Sequence, residues 1–146
     1  MENIKLFRKL KEEEQKEINR YAEEALQLLR IKERETKSIL MEMKSFIETI
    51  REEDKLMDNK TLEEYGYAFG SLFGDLICKE YNWEWYYVDS EEGVFFCVAS
   101  EKQKACVVCH NYIYHILKGN HSNNFVLLFN MIQKQYPKDW HFMVLK

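Results

Sequence analysis

The stretch GYAFGSLFGDLI, residues Gly66–Ile77, decides the fold. Its apolar positions follow a helical period, so it predicts a helix. Three glycines, Gly66, Gly70 and Gly74, recur at every fourth position along one flank of that helix. Each glycine costs roughly 1 kcal/mol relative to alanine in a helix interior. The pattern therefore predicts that a strand or another helix approaches this flank closely.

The bounds of this helix follow from its capping signals. Thr61 and Glu64 form a T-x-x-E capping box, which predicts that the helix begins at Leu62. The helix is expected to continue to about Tyr81. Its wide apolar surface is formed by Leu62, Tyr65, Phe69, Leu72, Phe73, Leu76 and Ile77.

The chain changes its periodicity directly after this helix. Trp83–Asp89 and Val94–Ser100 are rich in aromatic and β-branched residues, which is typical of strands. The polar segment Ser90–Gly93 between them predicts a four-residue hairpin loop. A third strand is predicted from Ala105 to about Cys109, which completes a small antiparallel meander.

The first half of the chain has a different composition. Glu2–Leu56 contains no glycine and no proline and is rich in Lys, Glu, Leu and Ile, so helix is predicted throughout. Ile39, Met43 and Ile50 belong to an amphipathic stripe, but fewer than two heptads support a coiled coil. Two interpretations stay open: helices laid on the core of the domain, and a self-associating helical arm.

The last part of the chain predicts two helices and a strand. A short helix is expected to end at Gly119, and a second one carries apolar residues from Phe125 to Tyr136 and ends near Pro137. The tail Trp140–Leu145 is apolar enough to dock as an edge strand.

The predicted fold class is therefore α+β. A small antiparallel sheet of about three strands, with a C-terminal edge strand as an addition, packs against helices. Residues 1–57 form a long N-terminal helical arm and residues 58–146 form the α+β domain, within one folding unit.

Composition excludes several functions. The net charge of −4 counts against nucleic-acid binding, which depends on Lys and Arg neutralising phosphates. No apolar run approaches the ~18 residues of a membrane span, and Met1–Lys11 lacks the apolar block of a secretory signal. A cytoplasmic protein is expected.

The segment Cys106–His110 matches the C-x-x-C-H pattern of covalent haem attachment. Alternation along the predicted third strand would place Cys106 and Cys109 on opposite faces of the sheet, where they cannot share a ligand. Buried structural thiols are therefore favoured over haem, over a thioredoxin-like redox pair and over a metal site that uses Cys109, His110 and a distant ligand. No metal or other cofactor is predicted.

The aromatic strand suggests a binding surface. Trp83, Trp85 and Tyr87 point to one side of it and are expected to fill the core against the glycine-bearing helix. The opposite row, with Tyr86 and Phe96, is expected to be partly exposed, and amphipathic aromatic residues are common anchors at protein interfaces.

The segment Gly66–Ile77, followed by Asn82–Trp85 and the hairpin, resembles an uncharacterised bacterial domain family of unknown function. The family combines a G-x-x-F-G-D helix with a W-x-W strand and a short sheet, and the resemblance spans about Leu62 to Gln133. The chain departs at Cys109, where the family pattern has a proline. The resemblance implies a fold and no catalytic residue. The matching residues are Gly70, Phe73, Gly74, Asp75, Trp83 and Trp85.

These observations favour a non-catalytic protein-binding domain, and the candidate class for this chain is an immunity-type or antitoxin-like protein. The candidate binding residues are Tyr86, Phe96, Trp85 and Asp75.

Two alternatives stay open. One is a small enzyme whose polar cleft combines Asp75, Glu84, His110 and Tyr112. The other is a homo-oligomer that associates through the N-terminal arm.

Overall fold

The computed structural model describes residues 4–32, 35–53, 57–101, 105–134 and 143–145. These residues form five strands and five helices. In chain order the elements are β1 (Ile4–Lys9), α1 (Glu12–Leu29), α2 (Thr36–Glu52), α3 (Asn59–Tyr81), β2 (Glu84–Ser90), β3 (Gly93–Ala99), β4 (Ala105–Val107), α4 (Cys109–Leu117), α5 (Phe125–Lys134) and β5 (Met143–Leu145).

The strands form a single sheet in the order β1-β2-β3-β4-β5. The first three pairs are antiparallel, and β5 runs parallel to β4 at the edge. The predicted α+β class, a small and mainly antiparallel sheet packed on helices, is confirmed. The predicted edge strand is confirmed for Met143–Leu145. The rest of that tail, and the predicted helix end near Pro137, lie outside the described residues.

The prediction of continuous helix in the first half of the chain is wrong at its beginning. Ile4–Lys9 is a strand that pairs with the aromatic strand β2. There Phe7 packs on Tyr86 with ring centroids 4.8 Å apart, and the Arg8 guanidinium lies 4.0 Å from the centre of the Tyr87 ring. Cross-strand contacts of this kind stabilise a strand and outweigh the local helical preference of a short segment.

Helices α1 and α2 lie on the core, as the first of the two interpretations predicted. Ile18 and Ala25 of α1 and Met43 and Ile47 of α2 are completely or almost completely buried in the main hydrophobic cluster. Tyr21 of α1 also packs edge-on against the Tyr67 ring of α3 at 4.5 Å.

The glycine-bearing helix α3 begins three residues earlier than predicted. Its N-cap is Asp58, whose carboxylate accepts the backbone N–H of Thr61 at 2.8 Å. The predicted capping box of Thr61 and Glu64 is therefore wrong. The polar residues Asp58-Asn59-Lys60, which the sequence predicts to be a linker before the helix, contain the Asp that is preferred at an N-cap.

The hairpin between β2 and β3 is tighter than predicted. Ser90 pairs with Gly93, so the loop has two residues, Glu91 and Glu92. Gly93 adopts a φ of 127°, which side-chain-bearing residues rarely do. The third predicted strand is shorter than expected, because the chain turns into α4 at Cys109.

The sheet has a buried cluster on each face. The larger cluster is formed by the buried side chains of the helices together with Trp83, Trp85 and Val98. The smaller cluster contains Tyr86, Val88 and Cys97. Among the described residues, none of the helices combines the length and the apolar composition that a membrane span requires.

Candidate functional site

The three glycines of α3 allow close contact with α4 and with β2, as predicted. A Cβ atom at Gly66 would lie 2.9 Å from the Cβ of Tyr114, and one at Gly70 would lie 2.6 Å from the Cα of His110. A Cβ at Gly74 would overlap the indole ring of Trp85. Helix α4 therefore packs against the glycine stripe at Gly66 and Gly70, and the tryptophan-bearing strand packs against it at Gly74.

His110 occupies the first turn of α4, directly above this stripe. Its ring stacks on the Tyr67 ring at 4.2 Å and 13°, and on the Trp85 ring at 5.5 Å and 21°. Its Nε2 is 2.8 Å from the hydroxyl oxygen of the buried Ser71. Burial lowers the pKa of His110 to about 3, so the ring is neutral at physiological pH.

Asp75 lies one helical turn beyond Ser71 and supports the same group of rings. Its Oδ1 accepts a hydrogen bond from the Trp85 indole N–H at 2.8 Å. Burial raises the pKa of Asp75 to about 6, and the hydrogen bond from Trp85 opposes that rise. Asp75 therefore fixes the orientation of Trp85, and Trp85 in turn packs against His110.

An open cleft of about 390 Å³ lies between α3 and α4 on one side and β2 and β3 on the other. We call it the aromatic cleft. Five rings line it, those of Tyr67, Tyr87, Phe96, His110 and Tyr114, together with the exposed carboxylate of Glu63 and the exposed side chain of Val94.

Hydrogen bonds hold one wall of the aromatic cleft in place. The Tyr114 hydroxyl donates to Asn59 Oδ1 at 2.7 Å, and Asn59 Nδ2 donates to Glu63 Oε1 at 2.9 Å. These two hydrogen bonds connect α4 to the first turn of α3. The position of Glu63 is therefore defined by its neighbours although the side chain is exposed.

The structure brings together three of the four candidate binding residues. Phe96 lines the aromatic cleft, and Trp85 and Asp75 lie behind His110. Tyr86 lies elsewhere, because it is only 8% exposed and belongs to the cluster on the opposite face of the sheet. The expected pairing of Tyr86 with Phe96 in one exposed row is wrong: Phe96 is the cross-strand partner of Tyr87, and cross-strand partners share a face.

The residues predicted to have structural roles are buried at the interface of α3. Phe73 is completely buried and contacts the Phe125 ring at 5.6 Å, edge to face. Trp83, at 6% exposure, lies in the same main cluster.

The four polar residues of the enzyme hypothesis do not meet in one cleft. Glu84 is exposed and its carboxylate is 3.2 Å from the ammonium of Lys9. Tyr112 donates to Asn124 at 3.1 Å, next to α5, whereas His110 lines the aromatic cleft. Asp75 lies behind the cleft wall. The polar cleft of that hypothesis is therefore not formed by these residues.

The cysteines are all free thiols. Cys106 is in the small cluster and Cys109 in the large one, on opposite sides of the sheet as predicted, although Cys109 begins a helix instead of continuing the strand. Burial raises the pKa of Cys109 well above its ordinary value and that of Cys78 to about 12, which keeps both protonated. Within the described residues, no group of three His, Cys, Asp or Glu side chains is placed to hold a metal ion.

Tyr67 and Ser71 belong to this site and were missed in the sequence, although their spacing carries a signal. With Asp75 they recur at every fourth position, each directly after one of the three glycines. This polar stripe beside a small-residue stripe is a recognisable signal, since residues four apart on a helix lie one above the other. Its partners, His110 and Trp85, are distant in sequence and could not be assigned from it.

The opposite pKa shifts of Asp75 and His110 predict a measurable dependence of stability on pH. Folded Asp75 keeps its proton to about pH 6 and the unfolded residue releases it near its ordinary pKa of 3.8, so this group lowers stability as pH rises between those values. Folded His110 binds its proton only near pH 3 and the unfolded residue binds it near 6.5, so this group raises stability over that range. In the wild type the two slopes largely cancel between about pH 4 and 6.

Asp75→Asn removes the falling slope and keeps an acceptor for Trp85. The free energy of unfolding of this variant, measured by urea titration, is expected to rise with pH between about 4 and 6 by up to ~1.4 kcal/mol per pH unit more than that of the wild type. Glu64→Gln, at an exposed position of the same helix, is the control and is expected to follow the wild type. Identical pH profiles for Asp75→Asn and wild type would contradict the prediction.

No family model, curated protein sequence or solved structure matches the chain.

Proposed function

We propose that the chain is a non-catalytic protein-binding domain and that the aromatic cleft is its contact surface. The observation that carries the proposal is an open cleft lined by five aromatic rings, with Val94 58% exposed at its border. Rigid aromatic side chains lose little conformational entropy on binding and dominate the energetics of protein interfaces. A surface of this kind gains binding free energy when a partner covers it.

The rigidity of the cleft walls supports the same proposal. His110 is held by Ser71 and by two stacked rings, and Tyr114 is held by Asn59. Because these side chains are already ordered, a partner does not pay for ordering them.

The placement of the polar groups gives no support to a catalytic role for His110. Its hydrogen-bond partner Ser71 is completely buried, so the hydroxyl cannot reach a substrate in the cleft. A nucleophile needs access to the reacting atom as well as a base. The pair therefore serves to fix the imidazole ring.

The proposal includes that the chain is a cytoplasmic, bacterial protein of the immunity or antitoxin type, which binds another protein. The net charge of −4 and the Glu63 carboxylate in the cleft disfavour nucleic acid as the partner. Self-association through the first two helices receives less support, because their apolar stripes are already largely buried against the chain's own core.

Val94→Lys tests the proposal. A charged side chain at this exposed position must be desolvated or displaced when a partner covers the cleft, so partner binding is expected to weaken at least about tenfold. Leu127→Lys is the matched control, because Leu127 on α5 is also 58% exposed but lies away from the cleft.

The measurement is quantitative affinity capture from an extract of the native cell with the wild type and both variants, followed by calorimetry with the purified partner. The expected result is a stoichiometric partner retained by wild type and by Leu127→Lys and lost by Val94→Lys. Equal retention by Val94→Lys, or no stoichiometric partner for the wild type, would overturn the proposal.

A further inference from the structure

The charges that line the aromatic cleft have one sign. Glu63 contributes a carboxylate, and none of the described residues that line the cleft is Lys or Arg. His110 is the one histidine among the described residues that line the cleft, and burial lowers its pKa so that its ring is uncharged at neutral pH. A ligand group in this cleft therefore meets aromatic rings and a carboxylate, and none of the lining residues is itself a cation.

Two cations of the chain itself already lie over rings of the cleft. The Arg8 guanidinium is 4.0 Å from the centre of the Tyr87 ring, and the Lys118 ammonium is 5.5 Å from the centre of the Tyr114 ring. Both distances are within the range of cation–π attraction. The rings of Tyr87 and Tyr114 therefore already attract positive charge within the chain itself.

Two further carboxylates, those of Glu17 and Glu14, act on the Tyr67 ring of the cleft. The Tyr67 pKa is raised to about 12, mainly by burial and also by the negative charges of Glu17 and Glu14. The Glu14 carboxylate is neutralised by Arg8 in a two-bond contact at 2.9 and 3.1 Å. Glu17 adds negative potential beside the Tyr67 ring, in the same sense as Glu63.

From this arrangement we infer that the aromatic cleft binds the cationic end of a Lys side chain presented by the protein partner. The alkyl part of the side chain contacts the rings, its ammonium lies against their faces, and the Glu63 carboxylate, held by Asn59, accepts a hydrogen bond from it. The inference rests on the proposed protein-binding function and names the chemical group that the partner contributes.

An anionic group is disfavoured by the same geometry. A phosphate or carboxylate in the cleft would face Glu63, and none of the lining residues is a cation. Arg8, beside the Tyr87 ring, is already paired with Glu14. A purely apolar side chain would use the rings but would not use Glu63. A lysine side chain and a purely apolar side chain are distinguished by comparing a lysine probe with an uncharged analogue.

The probes are Nα-acetyl-lysine methylamide, whose side-chain ammonium is free, and Nα-acetyl-norleucine methylamide, which lacks the ammonium group. Each is titrated to its solubility limit into the intact, isotopically labelled protein, and the amide signals of the cleft residues are followed by NMR. The lysine probe is expected to bind at least about fivefold more tightly than the norleucine probe. Raising the salt concentration is expected to weaken the lysine probe alone.

Glu63→Gln tests the carboxylate directly. This variant is expected to lose affinity for the lysine probe severalfold and to bind the norleucine probe as the wild type does. Glu64→Gln removes a neighbouring exposed carboxylate that does not line the cleft, so both probes should bind it unchanged. Equal binding of the two probes to wild type, no saturable shift with the lysine probe, or insensitivity to Glu63→Gln would each overturn the inference.

The failure of this inference can be told apart from the failure of the proposed function. If the partner is lost with Val94→Lys but the probes do not discriminate charge, the cleft binds a protein through apolar contacts alone. If partner retention is unaffected by Val94→Lys, the protein-binding function of the cleft itself is wrong, whatever the probes show.

Discussion

Gly70→Ala is expected to destabilise the protein by roughly 3 kcal/mol, which is the scale of overpacking in a close-packed interior. A Cβ atom at this position would lie 2.6 Å from His110 Cα, 2.9 Å from His110 N and 3.0 Å from the carbonyl oxygen of Cys109. All three are backbone atoms, so no change of rotamer can relieve the contact. Helix α4 must move away from α3, and its core contacts are lost.

The sign of this effect is the informative part. In a helix without a neighbour, alanine in place of glycine stabilises by about 1 kcal/mol. Glu64→Ala, at an exposed position of the same helix, is the control and is expected to change the free energy of unfolding by less than about 0.5 kcal/mol. Urea titrations followed by tryptophan fluorescence measure both variants. A stabilising Gly70→Ala would show that α4 does not lie against this glycine.

Trp85→Ala is expected to cost about 4 kcal/mol, the scale for truncating a large buried aromatic side chain. The side chain is only 5% exposed, stacks against His110 and donates its indole N–H to Asp75. Its removal leaves a cavity beside Gly74 and deprives the largely buried Asp75 carboxyl of its donor. Trp85→Leu, which fills part of the cavity, provides a milder variant should the alanine variant fail to fold.

A second substitution at Gly74 separates this contact from a general loss of packing. In the wild type, Gly74→Ala is expected to destabilise because its Cβ would overlap the Trp85 indole. In the Trp85→Ala background the obstacle is gone, so the same Gly74→Ala is expected to stabilise by up to about 1 kcal/mol through helix propensity. The same sign of the effect in both backgrounds, measured by urea titration, would show that the two residues are not in contact.

These two sites also control the aromatic cleft. Gly70 sets the distance between α3 and the first turn of α4, where His110 lies, and Trp85 packs against the His110 ring. A shift of α4 would displace His110 and Tyr114, two of the five rings that line the cleft. Stability and the shape of the binding surface therefore depend on the same contacts.

Part of the candidate site could be recognised in the sequence and part could not. Trp85 and Phe96 are recognisable as aromatic residues on predicted strands, and Asp75 as part of the G-x-x-F-G-D helix that carries the family resemblance. Tyr86 was placed on the wrong surface, since the alternation of a strand tells which residues share a face but not which face is covered. Tyr67 carried a signal in its spacing, whereas Tyr114 and Glu63 became part of a site only through their distance to other elements.

The sequence by itself determined the helix that carries the glycines, the hairpin after it, the α+β class and the need for a close neighbour at Gly66, Gly70 and Gly74. These features rest on local periodicity, turn residues and the cost of glycine in a helix, all of which act within a few residues. Only the tertiary structure decided that Ile4–Lys9 is a strand, that α4 lies on the glycines, and that His110 stacks between α3 and β2. The physical reason is that such contacts join residues far apart in the chain, and their free energy outweighs the weak local preferences that a sequence displays.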